Sequence, residues 1–434
     1  MDTIVFPTNF GNNGGASNIC RRRVVVTYIK RSMENVILRL SQQYPTILLT
    51  GPRQVGKTTA LQKLMEEEGR NRGYVSLDDL TERNLAKADP AMFFQLHPPP
   101  ILVDEVQYVP ELFPYIKLMV DQNLRPGDFW LTGSQLFKLM SGVRESLAGR
   151  VALLHMSPLS QREICGRETI PFNLDVALLA EQQKDISPVS TPEIFNRIFR
   201  GGMPALISGK YEDRSIFYSG YISTYLDRDV KELSGTIDSL KFMNFITAAA
   251  ARAGQMVNCK NIADDCDIDQ STAKSWLRIL ETLGIIFYLH PFSNNVLKRT
   301  VKTPKLYFYD TGLVCYLTRW SSAETAMSGA MNGALLENYC VSEIMKSYQN
   351  CAMEPNLYYY RDRDMKEIDL IIEHDGTLFP MEIKKSATPD KSLTRVFGLI
   401  DKSPLKRGPG AVLCMAQTLG AFDRDNLIVP IGLI

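Results

Sequence analysis

Long hydrophobic runs are absent from this sequence: none approaches the ~18 apolar residues that a membrane-spanning helix needs. The eight cysteines are scattered without a CxxC pair, and the four histidines show no metal-ligand spacing. These absences argue against a zinc site or a disulfide framework and favour a reducing, cytoplasmic compartment. A large excess of one charge is missing too, with 49 basic against 48 acidic residues, so any nucleic-acid surface must be a local patch.

The first residues, 1–24, are rich in asparagine and glycine and lack the apolar core of a secretory signal. We expect them to form a disordered lead-in, with a targeting role as the alternative. The chain of 434 residues has an ordinary globular composition, 45% hydrophobic and 22% charged. At ~100–200 residues per domain, this length predicts roughly two to four domains.

Short apolar runs alternate with helical stretches over residues 25–160. The runs have the character of buried parallel strands: Thr46–Thr50, Tyr74–Leu77, Ile101–Val103 and Phe129–Thr132. This alternation predicts an α/β fold with an N-terminal parallel sheet covered by helices. Helical periodicity follows over residues 161–255, and strands and helices alternate again in the last third of the chain.

A phosphate-binding pattern lies between the first of these strands and a helix. Gly51 to Thr58 fits G-x-x-x-x-G-K-S/T in full. Corner glycines let backbone N–H groups wrap phosphates, and the following helix directs its positive end at them. In this pattern Lys57 reaches the β- and γ-phosphates, and the Thr58 hydroxyl ligates Mg²⁺. We therefore predict ATP and Mg²⁺ as ligands, with a chance structural turn as the alternative. The expected nucleotide-binding residues are Gly51, Pro52, Arg53, Gln54, Val55, Gly56, Lys57, Thr58, Thr59 and Asp104.

Two acids, Asp104 and Glu105, follow the strand that starts at Ile101. The carboxyl ends of parallel strands share one edge of a sheet, so the pair should lie beside the phosphate-binding loop. Asp104 would hold Mg²⁺ through water, and Glu105 would act as general base on the attacking water. The alternative is a surface acidic pair at a strand end.

Further catalytic candidates follow the next strand. Thr132 or Ser134 could sense the γ-phosphate or orient the water, with ordinary turn residues as the alternative. Arg144 and Arg150 are candidates for stabilising transition-state charge, an effect worth ~10³–10⁵ in rate. A solvated surface arginine is the alternative for each. The sequence leaves open whether either acts within the chain or on a neighbour.

Together these motifs resemble the prokaryotic AAA-type ATPases that are fused to a C-terminal domain of unknown function. The likeness covers roughly residues 25 to 390. It is carried by Thr50–Thr59, Asp104–Gln107, Thr132–Ser134, Leu147–Arg150, Ser157–Ser160, Gly201–Pro204, Tyr225–Val230 and Lys305–Leu313. The resemblance implies a P-loop ATPase domain (25–160), a helical region (161–255), a winged-helix region (256–320) and a nuclease-like α/β domain (321–434).

The winged-helix expectation has local support. Two helices, Ile262–Ile268 and Thr272–Leu283, precede two strands that flank a basic tip containing Lys298, Arg299 and Lys302. In a DNA reader, Lys274 and Arg278 would meet the major groove or the phosphates. Packing against protein is the alternative, because four aspartates at the start of this unit would repel phosphate. They are Asp264, Asp265, Asp267 and Asp269.

A pattern of carboxylates lies in the last third. Glu337 falls in a predicted helix, Asp369 in a strand, and Glu382 with Lys384 in the partner strand after a turn at residues 374–376. Residues two apart on a strand share a face, so Glu382 and Lys384 should project together toward Asp369. The pattern resembles the PD-(D/E)xK nuclease core. There the carboxylates, here Glu337, Asp369 and Glu382, hold Mg²⁺, and the lysine positions or deprotonates the nucleophile. A solvated cross-strand pair is the alternative, and such folds often keep a binding surface without the chemistry.

The combined prediction is a Mg²⁺-dependent ATPase coupled to a nuclease-like domain that cuts or binds nucleic acid, with DNA as the expected partner. The alternative function is a nucleotide-gated switch or assembly protein, in which the C-terminal domain binds a protein partner without cleavage. We expect no membrane partner. A homo-oligomer is compatible with either function.

Overall fold

The computed structural model describes residues 3–4, 26–123, 125–134, 146–226, 229–231, 238–294 and 303–434. Strand β1 (Thr3–Ile4) pairs antiparallel with β2 (Val26–Thr27). The rest of the expected lead-in, the candidate Arg144 and the basic tip at 298–302 lie outside the described residues. In the part of the chain that the structure covers, no helix combines the length and apolarity that a bilayer crossing requires.

The first sheet has five parallel strands, which confirms the predicted N-terminal architecture. Its strands are β3 (Thr46–Thr50), β4 (Gly73–Ser76), β5 (Ile101–Asp104), β6 (Phe129–Gly133) and β7 (Val151–His155), in the order β4-β5-β6-β3-β7. Helix α1 (Met33–Ser41) precedes β3. The helices between the strands are α2 (Lys57–Glu68), α3 (Leu80–Ala88), α4 (Pro90–Leu96) and α5 (Leu112–Gln122), with a 3₁₀ turn at Val106–Tyr108. Strands β3, β5 and β6 are buried along their whole length because helices cover both faces.

Two separate cores pack on the two faces of this sheet. Leu48, Val103 and Leu131 belong to one, and Leu49 with Trp130 to the other. Successive residues of a strand point to opposite faces, so one strand such as β3 supplies both cores. All five strands are parallel, and their carboxyl ends therefore meet at one edge.

The middle of the chain is helical, as predicted. The helices are α6 (Gln161–Ile164), α7 (Val176–Asp185), α8 (Thr191–Arg200), α9 (Pro204–Ile207), α10 (Arg214–Gly220), a π-helix at Tyr221–Leu226, α11 (Ser239–Ala250), α12 (Cys259–Cys266) and α13 (Gln270–Thr282). Side chains of Asp175, Ser190, Asp213, Asp238 and Asn258 cap five of these helices by accepting from backbone N–H groups.

A second, mixed sheet completes the fold. Its strands are β8 (Ile286–Pro291), β9 (Lys305–Phe308), β10 (Leu357–Arg361), β11 (Glu367–His374), β12 (Thr377–Lys384), β13 (Lys406–Arg407), β14 (Gly410–Cys414), β15 (Gly420–Asp423) and β16 (Asn426–Pro430). The order is β15-β16-β14-β12-β11-β10-β8-β9, and β13 pairs with β12. The accompanying helices are α14 (Thr311–Leu317), α15 (Ala323–Ser328) and α16 (Asn332–Gln349), with 3₁₀ segments at Lys391–Lys402 and Ile431–Leu433.

The β8–β9 hairpin, which the sequence assigns to a wing, is part of this second sheet. Strand β8 pairs parallel with β10, with His290 opposite Tyr358. One hydrophobic core extends from Phe172 to Ile434 and includes residues of both the helical middle and the C-terminal sheet. The sheet and its core therefore run across residue 320, where the sequence predicts a domain boundary. A winged helix remains a prediction here.

Candidate functional site

The P-loop leaves β3 at the carboxyl edge of the first sheet and enters α2. Gly51 has φ +139° and Gly56 has φ +92°, both in the region that favours glycine. A Cβ at Gly51 would also collide with the carbonyl of Met156. Lys57 is buried, and its ammonium donates to the carbonyl oxygens of Gly51 (2.9 Å) and Pro52 (2.8 Å). Burial lowers the pKa of Lys57 to about 8, so this ammonium gains much from an anionic partner.

Asp104 lies within hydrogen-bonding distance of the P-loop helix. Its Oδ1 accepts from the Thr58 hydroxyl at 2.8 Å and from the Thr132 hydroxyl on β6. Burial raises the pKa of Asp104, while these two hydrogen bonds oppose the rise. A hydroxyl–carboxylate pair at a P-loop helix is a donor set of hard oxygen atoms that suits Mg²⁺. The residues therefore fit the Mg²⁺ and nucleotide that the motif implies.

Glu105 follows Asp104 in a left-handed backbone conformation, with φ +58°. Its N–H donates to the Thr132 hydroxyl at 3.1 Å, which ties the strained residue to β6. Its carboxylate accepts from the Gln107 amide and, at 3.4 Å, from the Ser134 hydroxyl. Such strain at a carboxylate beside a nucleotide site is typical of a functional position. Sequence reasoning included Gln107 in a family motif but gave it no role.

Arg53, at the tip of the P-loop, joins the loop to the helical middle of the chain. Its guanidinium binds both carboxylate oxygens of Asp229, at 2.8 and 3.0 Å, and lies 4.0 Å from Glu105. Asp229 is only 2% exposed. Burial opposes the charge on Arg53, but the Asp229 hydrogen bond and charge outweigh it and raise the pKa of Arg53. This contact was not predicted, because 176 residues separate the partners.

A cavity of about 410 Å³ opens against the P-loop. It is large enough for a small-molecule ligand. Three segments supply most of its lining: the P-loop itself, residues 27–31 that precede α1, and residues 204–211 around α9. Asp78, Glu105 and Leu159 line the rest. The Cγ atom of Pro204 lies 3.9 Å from the position that a Cβ at Gly56 would occupy, which is an ordinary van der Waals distance. The helical middle thus supplies one wall of the candidate nucleotide site.

Two buried polar residues hold these walls in place. Arg31 donates to the carbonyls of Val55 (2.6 Å) and Ser157 (2.7 Å) and pairs with Glu163 at 3.0 Å. Asp310 accepts from the N–H of Gly202 at 2.8 Å and from the Tyr218 hydroxyl at 2.6 Å. Asp310 therefore fixes the turn that precedes Pro204. Neither role was predicted, although Asp310 and Gly202 both lie in family motifs.

Arg150 lies far from this cavity. It precedes β7, and its carbonyl accepts from the N–H of Thr46 at the start of β3. The P-loop follows the other end of β3, so a strand rise of ~3.3 Å per residue separates Arg150 from it by roughly 15 Å. Arg150 instead pairs with Asp121 at 2.6 Å on the surface. This position and this ion pair argue against a role within its own site. A role on a neighbouring chain stays a prediction, with a surface arginine as the alternative.

The second candidate site lies on the second sheet. Asp369 on β11 accepts from the backbone N–H of Ile383 at 2.9 Å, and Lys384 on β12 reaches both Asp369 (3.4 Å) and Glu382 (2.6 Å). Strands β11 and β12 are joined by a two-residue turn with positive φ at Asp375 and Gly376, as expected for a tight hairpin. The structure therefore brings Asp369, Glu382 and Lys384 together.

Glu337, the fourth predicted member, lies near Asp369: burial and, to a smaller extent, the charge of Asp369 raise the pKa of Glu337. Its hydrogen bonds, however, are to other residues. It lies on α16 and accepts from Lys305 (2.8 Å) and from the Tyr307 hydroxyl (2.6 Å). Among the described residues, no group of three or more histidine, cysteine, aspartate or glutamate side chains is arranged to hold a metal ion. The expected trio of Glu337, Asp369 and Glu382 is thus not placed as a set of metal ligands.

The predicted DNA-reading surface has a mixed character. Lys274 and Arg278 on α13 are exposed, as a reader would require. A hollow at the start of the same helix is lined by Lys241 and by four aspartates, which are Asp238, Asp264, Asp267 and Asp269. Acidic groups at this position disfavour phosphate, so DNA binding by this surface stays a prediction.

Comparison with known families divides the chain into three parts. Residues 43–165 match the AAA domain family, residues 191–324 match a domain of unknown function (DUF8612), and residues 332–434 match another domain of unknown function (DUF4143). The first match agrees with the five-stranded parallel sheet, which has the α/β architecture expected of a P-loop fold. The C-terminal domain corresponds to a family whose function is unknown, as the resemblance implied.

Two relatives have similar length. The uncharacterized proteins Rv2008c of Mycobacterium tuberculosis and Mb2031c of Mycobacterium bovis are each 29% identical over 365 residues, which is 84% of this chain and 75% of theirs. Among solved structures, the Walker-type ATPase paby2304 of Pyrococcus abyssi gives a TM-score of 0.43 at 16% identity, over 67% of this chain and 96% of that one. The RuvB Holliday junction branch migration motor of Thermotoga maritima gives 0.29 at 17% identity, over 59% and 85%.

Proposed function

We propose that this chain hydrolyses ATP in a Mg²⁺-dependent reaction at the P-loop edge of its first sheet. The observation that carries the proposal is that the hydroxyls of Thr58 and Thr132 both donate to the Asp104 carboxylate, whose charge also acts on the buried ammonium of Lys57. When bound there, Mg²⁺ would neutralise phosphate charge. Thr58 and Asp104 are the residues that would hold it.

Glu105 is the proposed general base. Its carboxylate is fixed by Gln107 and Ser134, so it is oriented before substrate binds. Lys57 would bind the terminal phosphates. The Thr132 hydroxyl binds both the Asp104 carboxylate and the backbone N–H of Glu105. It would hold the two acids in place rather than act on phosphate directly.

The decisive measurement is phosphate release from ATP in magnesium buffer by the full chain and by Lys57→Ala. We expect the variant to lose turnover, while Lys184→Ala, a change at an exposed lysine on α7, keeps it. Turnover by Lys57→Ala at the wild-type rate, or no affinity of the wild type for any adenine nucleotide, would refute the proposal.

A nucleotide-gated switch is the function that we propose for the protein as a whole. The Arg53–Asp229 pair and the wall at 204–211 support it, because both link the nucleotide site to the helical middle of the chain. Ligand binding would have to change these contacts for the switch to operate. Limited proteolysis with and without a non-hydrolysable ATP analogue tests this: identical cleavage patterns would contradict a switch.

Cleavage of nucleic acid is the competing proposal for the C-terminal domain. The closeness of Asp369, Glu382 and Lys384 supports it, whereas the ion pair of Glu337 with Lys305 opposes it. Plasmid and single-stranded DNA incubated with the protein in Mg²⁺ or Mn²⁺ distinguish the two. Cleavage that disappears in Asp369→Ala and Lys384→Ala favours a nuclease, and equal inactivity of all three proteins favours a binding domain.

A further inference from the structure

The carboxylate cluster of the second sheet, which consists of Glu337, Glu367, Asp369 and Glu382, also contains a buried lysine. Lys305, on β9, is only 3% exposed. Its ammonium lies 2.8 Å from Glu337 Oε1 and 2.5 Å from Glu367 Oε1, so it bridges α16 and β11. The ring of Tyr359 lies 5.6 Å from the same nitrogen and adds a further favourable surface for a cation.

One oxygen of Glu337, Oε1, is occupied by two donors. The oxygen that binds Lys305 also accepts from the Tyr307 hydroxyl at 2.6 Å. Arg361 lies 3.5 Å from the other oxygen of Glu367. Lys305 is therefore enclosed by acids from two elements, α16 and β11.

The neighbouring acids, Asp369 and Glu382, are bound by a different lysine. Lys384 is partly exposed, and it reaches Asp369 and Glu382 from the surface side. Glu382 Oε2 is buried and has no hydrogen-bond partner among the described residues. A divalent ion at Asp369 and Glu382 would displace only the partly exposed ammonium of Lys384, whereas at Glu337 it would have to displace the buried ammonium of Lys305.

We propose that the ammonium of Lys305 replaces a divalent metal ion at Glu337, so that the C-terminal domain keeps the carboxylates of the resembled nuclease core but not its full metal site. The physical reason is the cost of displacement. An incoming ion would leave Lys305 buried without its partners, and an uncompensated buried charge strongly destabilises a protein. The proposal does not depend on ATP hydrolysis, which takes place on the other sheet.

The test uses Mn²⁺ alone as the probe, titrated into the full chain without nucleotide. We expect Glu337→Gln to bind Mn²⁺ as the wild type does. Any Mn²⁺ site of the wild type on this sheet should instead weaken in Asp369→Asn. A loss of affinity of ~10-fold or more in Glu337→Gln, the size expected when a metal site is disturbed, would overturn the proposal.

A second experiment removes the ammonium of Lys305 and tests for a gain of Mn²⁺ affinity. Lys305→Met keeps the length of the side chain and exposes Glu337 and Glu367 to a new ion. We expect this variant to bind Mn²⁺ at least ~10-fold more tightly than the wild type and to lose that gain in Lys305→Met/Glu337→Gln. Lys184→Met is the matched control for removal of an exposed lysine.

Each outcome decides the matter. A folded Lys305→Met that gains no Mn²⁺ affinity overturns the proposal. If that variant does not fold, the comparison of wild type with Glu337→Gln still decides it. Phosphate release from ATP, measured in the same preparations, reports separately on the P-loop site, so failure of one proposal is distinguishable from failure of the other.

Discussion

The P-loop edge of the first sheet and the carboxylate cluster of the second use the same residue types in different ways. Each places a lysine beside acids that follow or lie on β-strands. At the P-loop edge, Lys57 donates to backbone carbonyls of its own loop, and hydroxyls of Thr58 and Thr132 contact Asp104. In the second sheet, Lys305 and Lys384 bind the acids directly.

The difference lies in what an incoming cation must displace. A hydroxyl that donates to a carboxylate can rotate and itself offer an oxygen to Mg²⁺. An ammonium has only donors, repels the ion and must find a new partner if it is displaced. Two sites with equal numbers of acids can therefore differ in their affinity for a metal ion, because that affinity depends on the group that each acid already binds.

The largest expected effect concerns Glu105. Glu105→Gln should lower ATP turnover by ~10²–10⁴-fold, because the amide cannot accept a proton from water. Affinity for ATP should stay near that of the wild type. Steady-state phosphate release and equilibrium nucleotide binding measure the two effects, with Glu111→Gln, an exposed neighbour, as control. Equal turnover in the wild type, Glu105→Gln and Glu111→Gln would contradict the role of Glu105 as general base, and with it the functional contrast between the two sheets.

The next prediction concerns the pH dependence of the second site. Burial and the charge of Asp369 raise the pKa of Glu382 to about 7 in the folded protein from 4.5. Between these values the folded state binds more protons than the unfolded state, so the free energy of unfolding falls as pH rises. In Glu382→Gln, the difference in this free energy between pH 5 and pH 7.5 should shrink by roughly 2 kcal/mol.

Urea denaturation at the two pH values measures this difference, with Glu354→Gln as an exposed control. If this difference is the same in Glu382→Gln as in the wild type, Glu382 is fully ionised in the folded protein at both pH values. Lys384 would then satisfy the acids of the second sheet more completely than we infer.

A smaller effect is expected at the junction of the P-loop with the helical middle. Asp229→Asn removes the charge that holds Arg53, which then can turn to Glu105, 4.0 Å away. Competition for the base should reduce ATP turnover by about tenfold, the equivalent of ~1.4 kcal/mol in the barrier. Adding Arg53→Met should restore part of the rate, because no guanidinium remains to compete. Equal rates for the single and double variants would rule out this coupling.

The smallest effect is expected for Arg150. Because it lies at the opposite edge of the first sheet, Arg150→Ala should change turnover of dilute protein by less than about twofold and stability by less than ~1 kcal/mol. Phosphate release over a range of protein concentrations provides the measurement. A loss at every concentration would contradict the cis geometry, and a loss only in concentrated protein would indicate action on a neighbouring chain.

Much of the fold was predictable from local sequence. The runs Thr46–Thr50 and Phe129–Thr132 coincide with β3 and β6 within a residue, because buried parallel strands are apolar without alternation. The turn at Asp375 and Gly376 was predictable for a similar reason, since few residues accept positive φ there. The pairing of β8 with β10 was not, because strand edges carry no local signal of their partner.

The sequence by itself determined the P-loop, the acids that follow β5 and the α/β class, since each depends on residues adjacent in the chain. Only the tertiary structure decided which charges meet. Arg53 with Asp229, Asp310 with Gly202, and Lys305 with Glu337 are brought together by packing across more than thirty residues. Composition and spacing cannot distinguish an acid that is open to a metal ion from one that already holds a lysine, because the cost of burying each charge depends on its neighbours in three dimensions.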